Sequence, residues 1–314
     1  MSDTIEQLEP YDAGYLSSYG EGNVEWWHAY MRAELERAMM TAWCLVVLAP
    51  RYDEVVILFA NTGSENEETL EFVRRCAEHW GVPVIWVEAV VHHGRRKSST
   101  HRVVDFETAS RKNEPYEEMV KKYGIPNRAW PHCTRELKLR PMKSYLKSIG
   151  WKDGTYDTAV GIRVDEIDRI DPNYEALRLI YPLAFEGMCP STKPQVNTYW
   201  RAQPFRLYLT GYRGNCVFCW KKSLRKHLTL ISECPEVFSF TDRMEREHGM
   251  AGHNEDGQPR VFFREKMSTR DLFTKWAEGG WENAPDDADV YMGMPLDTPD
   301  GCTESCEVNW GEKL

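Results

Sequence analysis

DEVVILFANTGSENEETLEFVRRCAEHWGVPVIWVE, residues 53–88, changes its apolar period twice. DEVVILFANTG is a short continuous apolar run that stops at turn formers, the pattern of a strand buried on both faces. ETLEFVRRCAEHW then puts Leu70, Val73, Ala77 and Trp80 on one face of a helix, and Ser64 with Glu67 has capping-box spacing at its start. VPVIWVE is a second strand. A strand, a helix and a further strand of this kind predict parallel pairing with the helix as crossover.

The alternation continues outward. PMKSYLKSIG (141–150) and PQVNTYWRAQPF (194–205) read as helices, and DTAVGIRVDE (157–166) and LIYPLAF (179–185) as strands. Upstream, YLSSYGEGNVEWWHAYM (15–31) sets Ser17, Ser18, Gly20 and Gly22 between a short strand and an expected helix carrying Trp27, Tyr30 and Met31 on its inner side. The expected fold is therefore α/β, a doubly wound, mostly parallel sheet covered on both faces. There is no internal repeat. Beyond about residue 235 the pattern weakens into polar, Gly- and Asp-rich sequence, so the expected division is a domain over 1–235 and an irregular C-terminal extension over 236–314.

The 314 residues are 42% hydrophobic and 28% charged, enough for one large core or two modest ones. A formal net charge of −10 argues against a general nucleic-acid-binding surface, since neutralising phosphates needs a basic one. HHGRRKSSTHR (92–102) is the one dense basic run; it reads as a solvated loop, or as a patch facing a nucleic-acid backbone or a sulfonucleotide phosphate. The N-terminal MSDTIEQLEP has no positive segment followed by an apolar stretch, and the apolar runs are too short to span a bilayer, so a cytoplasmic protein with no membrane partner is expected. Nine cysteines, an odd number in a long chain, favour thiol or metal chemistry over a disulfide framework.

Ligands of such sheets sit at the carboxyl ends of the strands, where three segments should meet. SSYG would offer backbone N–H groups to an anion, though a capped loop has the same composition. Asn61, Thr62 and Gly63 end one strand, as a site or simply as a turn. Arg163, Asp165, Glu166 and Arg169 follow another, as a bidentate anion grip or a surface ion network. In LYLTGYRGNCVFCWKK (207–222), Cys216 and Cys219 have the spacing of a redox disulfide, a zinc site or part of an iron–sulfur site. Cys44 and Cys76 fall on apolar faces as ordinary buried thiols, and Cys189 has no evident partner.

Together SSYG, ANTGSENEETLEFV, CTRELKLRPMKSYL, GIRVDEIDR and LTGYRGNCVFC resemble the phosphoadenylyl-sulfate (PAPS) reductase family of the adenine-nucleotide α-hydrolase fold, in order and spacing from about Tyr15 to about Cys234. The resemblance implies an adenine sulfonucleotide ligand, adenylyl sulfate or a relative, held by Ser17, Ser18, Gly20, Asn61, Thr62, Gly63, Lys138, Arg163, Asp165, Glu166 and Arg169. It implies a [4Fe–4S] cluster on Cys133, Cys216 and Cys219, with Thr134 standing where the family has a second cysteine. The fourth position would go to Cys234, Cys302 or Cys306, or stay open. It further implies a C-terminal nucleophile, Cys302 or Cys306, and a thiol carrier that releases sulfite, although neither cysteine stands in the family's sequence context. The loop lacks the terminal Asp-Ser of ATP-cleaving relatives and carries Glu21, which disfavours a triphosphate. An ATP-using sulfur transferase with a sulfur donor protein, acting on DNA, tRNA or a small acceptor, is the alternative; a non-catalytic binding protein is a third reading.

Overall fold

The computed structural model describes residues 26–31, 35–185, 187–252, 257–264 and 266–289. Six strands form one sheet: β1 (Trp26–Met31), β2 (Glu54–Asn61), β3 (Val84–Val90), β4 (Thr100–Val104), β5 (Tyr156–Ala159) and β6 (Leu179–Ile180). Their spatial order is β4-β3-β2-β1-β5-β6, with only β4 antiparallel. The chain therefore builds outward from β1 through β2 to β3, then returns to the opposite side of β1 for β5 and β6. The result is a mixed α/β protein with a mostly parallel sheet.

Helices cover both faces because β2 is apolar on both. Ile57 and Phe59 pack with α1 (Leu35–Val47), α2 (Glu67–Trp80) and α5 (Lys193–Arg201), whereas Leu58, Ala60 and Val87 pack with Met142 and Leu146 of α4 (Arg140–Ser148). On α2, Leu70, Val73 and Cys76 are buried and Trp80 only half-buried. Gly81, at φ 64°, ends that helix in the left-handed conformation that glycine adopts without strain. Among the described residues no helix is long and apolar enough to cross a membrane.

Four expectations are corrected. Trp26–Met31 is a strand between β2 and β5, not a helix, in register Trp27↔Val55 and Trp27↔Asp157. A run this short carries no usable period, and its aromatics suit a strand once two neighbours are available. DTAVGIRVDE is a strand only to Ala159; Val164–Arg169 is a short 3₁₀ turn. The Ser64–Glu67 capping box is absent: Asn66 is the N-cap, and Ser64 Oγ donates to Asn113 Oδ1 at 2.7 Å. The stretch beyond 235 is not wholly irregular. It holds α7 (Ser239–His248) and α8 (Thr269–Glu278), whose Phe240, Met244 and Leu272 join a second core with α3 (Glu114–Tyr123), Phe218 and α6 (Leu224–Glu233). Widely spaced aromatics anchor this core, so composition alone hides it.

Candidate functional site

At the carboxyl end of β2 the backbone turns sharply under the control of a buried carboxylate. Glu88 of β3, fully buried, accepts from Asn61 Nδ2 (2.6 Å), the Ser110 amide (2.6 Å) and hydroxyl (2.9 Å), and Arg102 Nε (2.9 Å). Asn61 also donates to the Ser110 carbonyl and accepts from the Gly63 amide at 3.1 Å. Asn61 thus shapes the turn, with its amide engaged inside the protein. Gly63 has φ 76°, and a Cβ there would lie 3.0 Å from the Pro115 ring. Glycine is required twice over.

This turn holds the cysteine segment. The Val217 amide donates to the Ser64 carbonyl (2.9 Å), and Asn66 Nδ2 to the Arg213 carbonyl (3.0 Å). Thr62 donates from its amide and hydroxyl to Glu65, and its Oγ1 lies 3.4 Å from Cys216 Sγ. The Cys219 amide closes on the Cys216 carbonyl at 3.0 Å, and buried His227 donates from Nε2 to the Cys219 carbonyl at 3.0 Å. Burial pushes the His227 pKa down to about 3, so its ring is neutral.

Cys133 arrives from a different element, just ahead of the π-helical turn Arg135–Leu139 that leads into α4. Buried Tyr116 of α3 reports the convergence. Its hydroxyl is held well above its ordinary pKa by burial, then by the charges of Cys133, Cys216 and Cys219. Burial likewise pushes the Cys216 thiol up, and Lys138 opposes that shift. Lys138 is only 8% exposed, yet it has no hydrogen-bond or ion-pair partner among the described residues. A cation held there outside any ion pair suits an anion supplied from outside the chain.

Thiolates are the donors an iron–sulfur cluster takes. Among the described residues, however, no three His, Cys, Asp or Glu side chains close to the spacing that grips one metal ion. Cys234 ends α6 with its thiol among Arg213, Glu236, Glu233 and Lys222.

The segment after β5 is an internal ion network rather than a surface one. Arg163, Glu166 and Arg169 are all buried; Arg163 Nε donates to Asp165 Oδ1 at 2.9 Å, and Glu166 pairs with both arginines. Among the described residues Arg169 Nε and Glu166 Oε2 have no hydrogen-bond partner. A separate cavity of about 230 Å³, lined by Leu35, Trp200, Arg206, Thr210 and Asp286, lies near the start of α1 and includes none of the cysteines.

Ser17, Ser18, Gly20, Cys302 and Cys306 lie outside the described residues. The segment expected to be a helix after the serine loop is, over Trp26–Met31, strand β1. Sequence reasoning missed Tyr116, Glu65 and Glu88. Only Glu65, inside the turn-forming NTGSEN, carried a local signal.

No known family description matches the chain. It is similar to a nin region protein of Escherichia phage lambda, described as uncharacterized (ORF290), with 29% identity over 265 residues, 82% of this chain and 87% of the relative. A second similarity, 28% over 110 residues, is to a protein of Methanocaldococcus jannaschii also described as uncharacterized (MJ0066); it covers 35% of this chain and 18% of that one.

Proposed function

We propose that the chain is a doubly wound adenine-nucleotide α-hydrolase-like protein that binds an adenylyl sulfate and reduces it to sulfite in a thiol-dependent reaction. The observation that carries this reading is Lys138, 8% exposed and in no ion pair among the described residues, whose charge acts on the Cys216 thiol in the turn held at the end of β2. A sulfonucleotide offers that ammonium an anion. The return of the chain across β1 after β3 supports the fold, because that is where such sheets bind ligands.

Cys133, Cys216 and Cys219 are the proposed ligands of a [4Fe–4S] cluster, which would supply an electron-rich centre beside the nucleotide. Arg163 and Arg169 are proposed to hold anionic charge after β5, and Thr62 and Gly63 to border the ligand after β2. Cys302 or Cys306 is the proposed nucleophile. Its thiolate would form an S–S bond to the sulfonate as the S–O bond to AMP breaks; a carrier thiol would then attack the cysteine sulfur and expel sulfite. The strap of residues 281–289 packs on the 3₁₀ turn Gly211–Arg213 ahead of the cysteine pair, where the Gly211 amide donates to Asp286 Oδ1 at 2.7 Å. A tail continuing from there spans up to roughly 40 Å before Cys302.

Anaerobic purification with iron and sulfide analysis, followed by binding of ATP, adenylyl sulfate and its 3′-phosphorylated form, tests the reading. Brown protein bleached by Cys216→Ser, with a sulfonucleotide bound more tightly than ATP and weakened by Arg163→Ala, supports it. Colourless protein holding stoichiometric zinc removes the cluster. Hydrolysis of ATP to AMP and pyrophosphate replaces the reductase with the sulfur transferase.

A further inference from the structure

The loop between β3 and β4 emerges at the carboxyl end of β3 and is anchored at both ends. Lys122 Nζ donates to the His92 carbonyl at 2.6 Å and to the Lys97 carbonyl, the Lys97 amide closes on the Gly94 carbonyl at 3.2 Å, and Ser99 Oγ donates to buried Glu136 at 2.9 Å. Within that frame Arg96 holds φ 60°, a conformation disfavoured for a residue with a Cβ and kept only where the surroundings impose it. The frame presents Arg95, Arg96 and Lys97 to solvent, and none of their three side chains makes a hydrogen bond or ion pair among the described residues. The nearby acids are already engaged: Glu118 with His93 and Lys121, Glu136 with Arg135 and Arg140. On a protein of net charge −10 this is a local, uncompensated positive patch.

The patch continues into an aromatic stripe. Lys122 Nζ lies 4.7 Å from the centre of the Tyr123 ring, Arg140 reaches the Tyr123 hydroxyl, and Arg260 donates to the Tyr123 carbonyl at 3.2 Å. The Arg260 guanidinium stacks 4.3 Å over Trp130, whose indole is 46% exposed. Cations at one end and an exposed, cation-backed indole at the other match the two demands of a single-stranded nucleic acid: charge for its phosphates and a flat face for an unpaired base. A small nucleotide would need neither three cations in a row nor an indole so far along the surface.

We infer that the surface from Arg95–Lys97 across Tyr123 to Trp130 binds single-stranded nucleic acid, with the loop on the backbone and Trp130 under a base. This stands apart from the reductase reading and needs no catalysis. The test is fluorescence anisotropy of full-length protein with a labelled mixed-sequence single strand of about 20 nucleotides, between ~50 and ~200 mM salt. Arg95→Ala/Arg96→Ala/Lys97→Ala should weaken binding at least tenfold and flatten the slope of log K against log salt by about 2, given ~0.7 per phosphate contact on a single strand. Trp130→Ala should weaken it about 5- to 100-fold with the slope unchanged. Both changes are at exposed positions, and unaltered circular dichroism and melting confirm that the variants fold. Triple-variant binding equal to the parent, a duplex bound as tightly as the single strand, or anionic vesicles bound comparably would each overturn the inference.

Discussion

The Lys138 ammonium lies beside the Cys216 thiol, both side chains buried, and works against the burial that holds the thiol protonated. The two come from different parts of the chain, Lys138 from the π-helical turn before α4 and Cys216 from the turn pinned to the end of β2. Replacing Lys138 by Met removes a charge that makes no ion pair among the described residues and should change stability by less than about 1 kcal/mol. The same change should cost sulfonucleotide binding about 10- to 100-fold through loss of a charge-assisted contact. Urea melts and ligand titrations on the one variant read both; a variant less stable than the parent would mean that Lys138 has a structural role.

Glu88 and Arg102 make the second prediction. Glu88 is fully buried, whereas Arg102 is about half exposed. Arg102→Met strands the carboxylate with only neutral donors and should destabilise the fold by about 3 kcal/mol, loosening the turn that carries Thr62 and Gly63. Glu88→Gln/Arg102→Met should recover part of the loss, which a double-mutant cycle in denaturant would show.

Gly211 lies under the strap. A Cβ there would overlap the Asp287 carboxylate and come 3.2 Å from the Ala288 amide nitrogen. Gly211→Ala should therefore cost about 1–3 kcal/mol in the intact chain. In a chain ending at Gly280 the cost should largely vanish. Additive effects of the substitution and the truncation, measured by thermal melts, would show that the clash is relieved in another way.

The fourth prediction concerns acid stability. A hydrogen bond from Arg243 is the first cause that lowers Glu117 to about 2, with Lys121 adding to it. The folded pKa lies below the unfolded value near 4.3, so the unfolded state takes up the proton first. The contribution is whole above about pH 5 and is lost as pH falls towards 2. Arg243 is 37% exposed, so screening leaves about 1 kcal/mol. Arg243→Gln should remove that amount at pH 7 and nothing at pH 2, as read from urea midpoints at the two pH values.

DEVVILFANTG determined a strand apolar on both faces, and its helix and partner strand followed at the expected places, because local periodicity is enough where every neighbour on both sides is apolar. The expectation that Cys133 joins Cys216 and Cys219 rests on ordered motifs alone, since no local pattern links residues that far apart. The tertiary structure alone decided that Trp26–Met31 is a strand, because a short apolar segment takes the conformation that its flanking strands can hydrogen-bond. It also decided that Asn61 serves Glu88, that the arginines after β5 are buried, and that Phe240, Met244 and Leu272 close a second core over the cysteine turn. Each of these depends on which side chains meet across long separations, and that is set by packing and by pairing of buried charge, neither of which has a period along the chain.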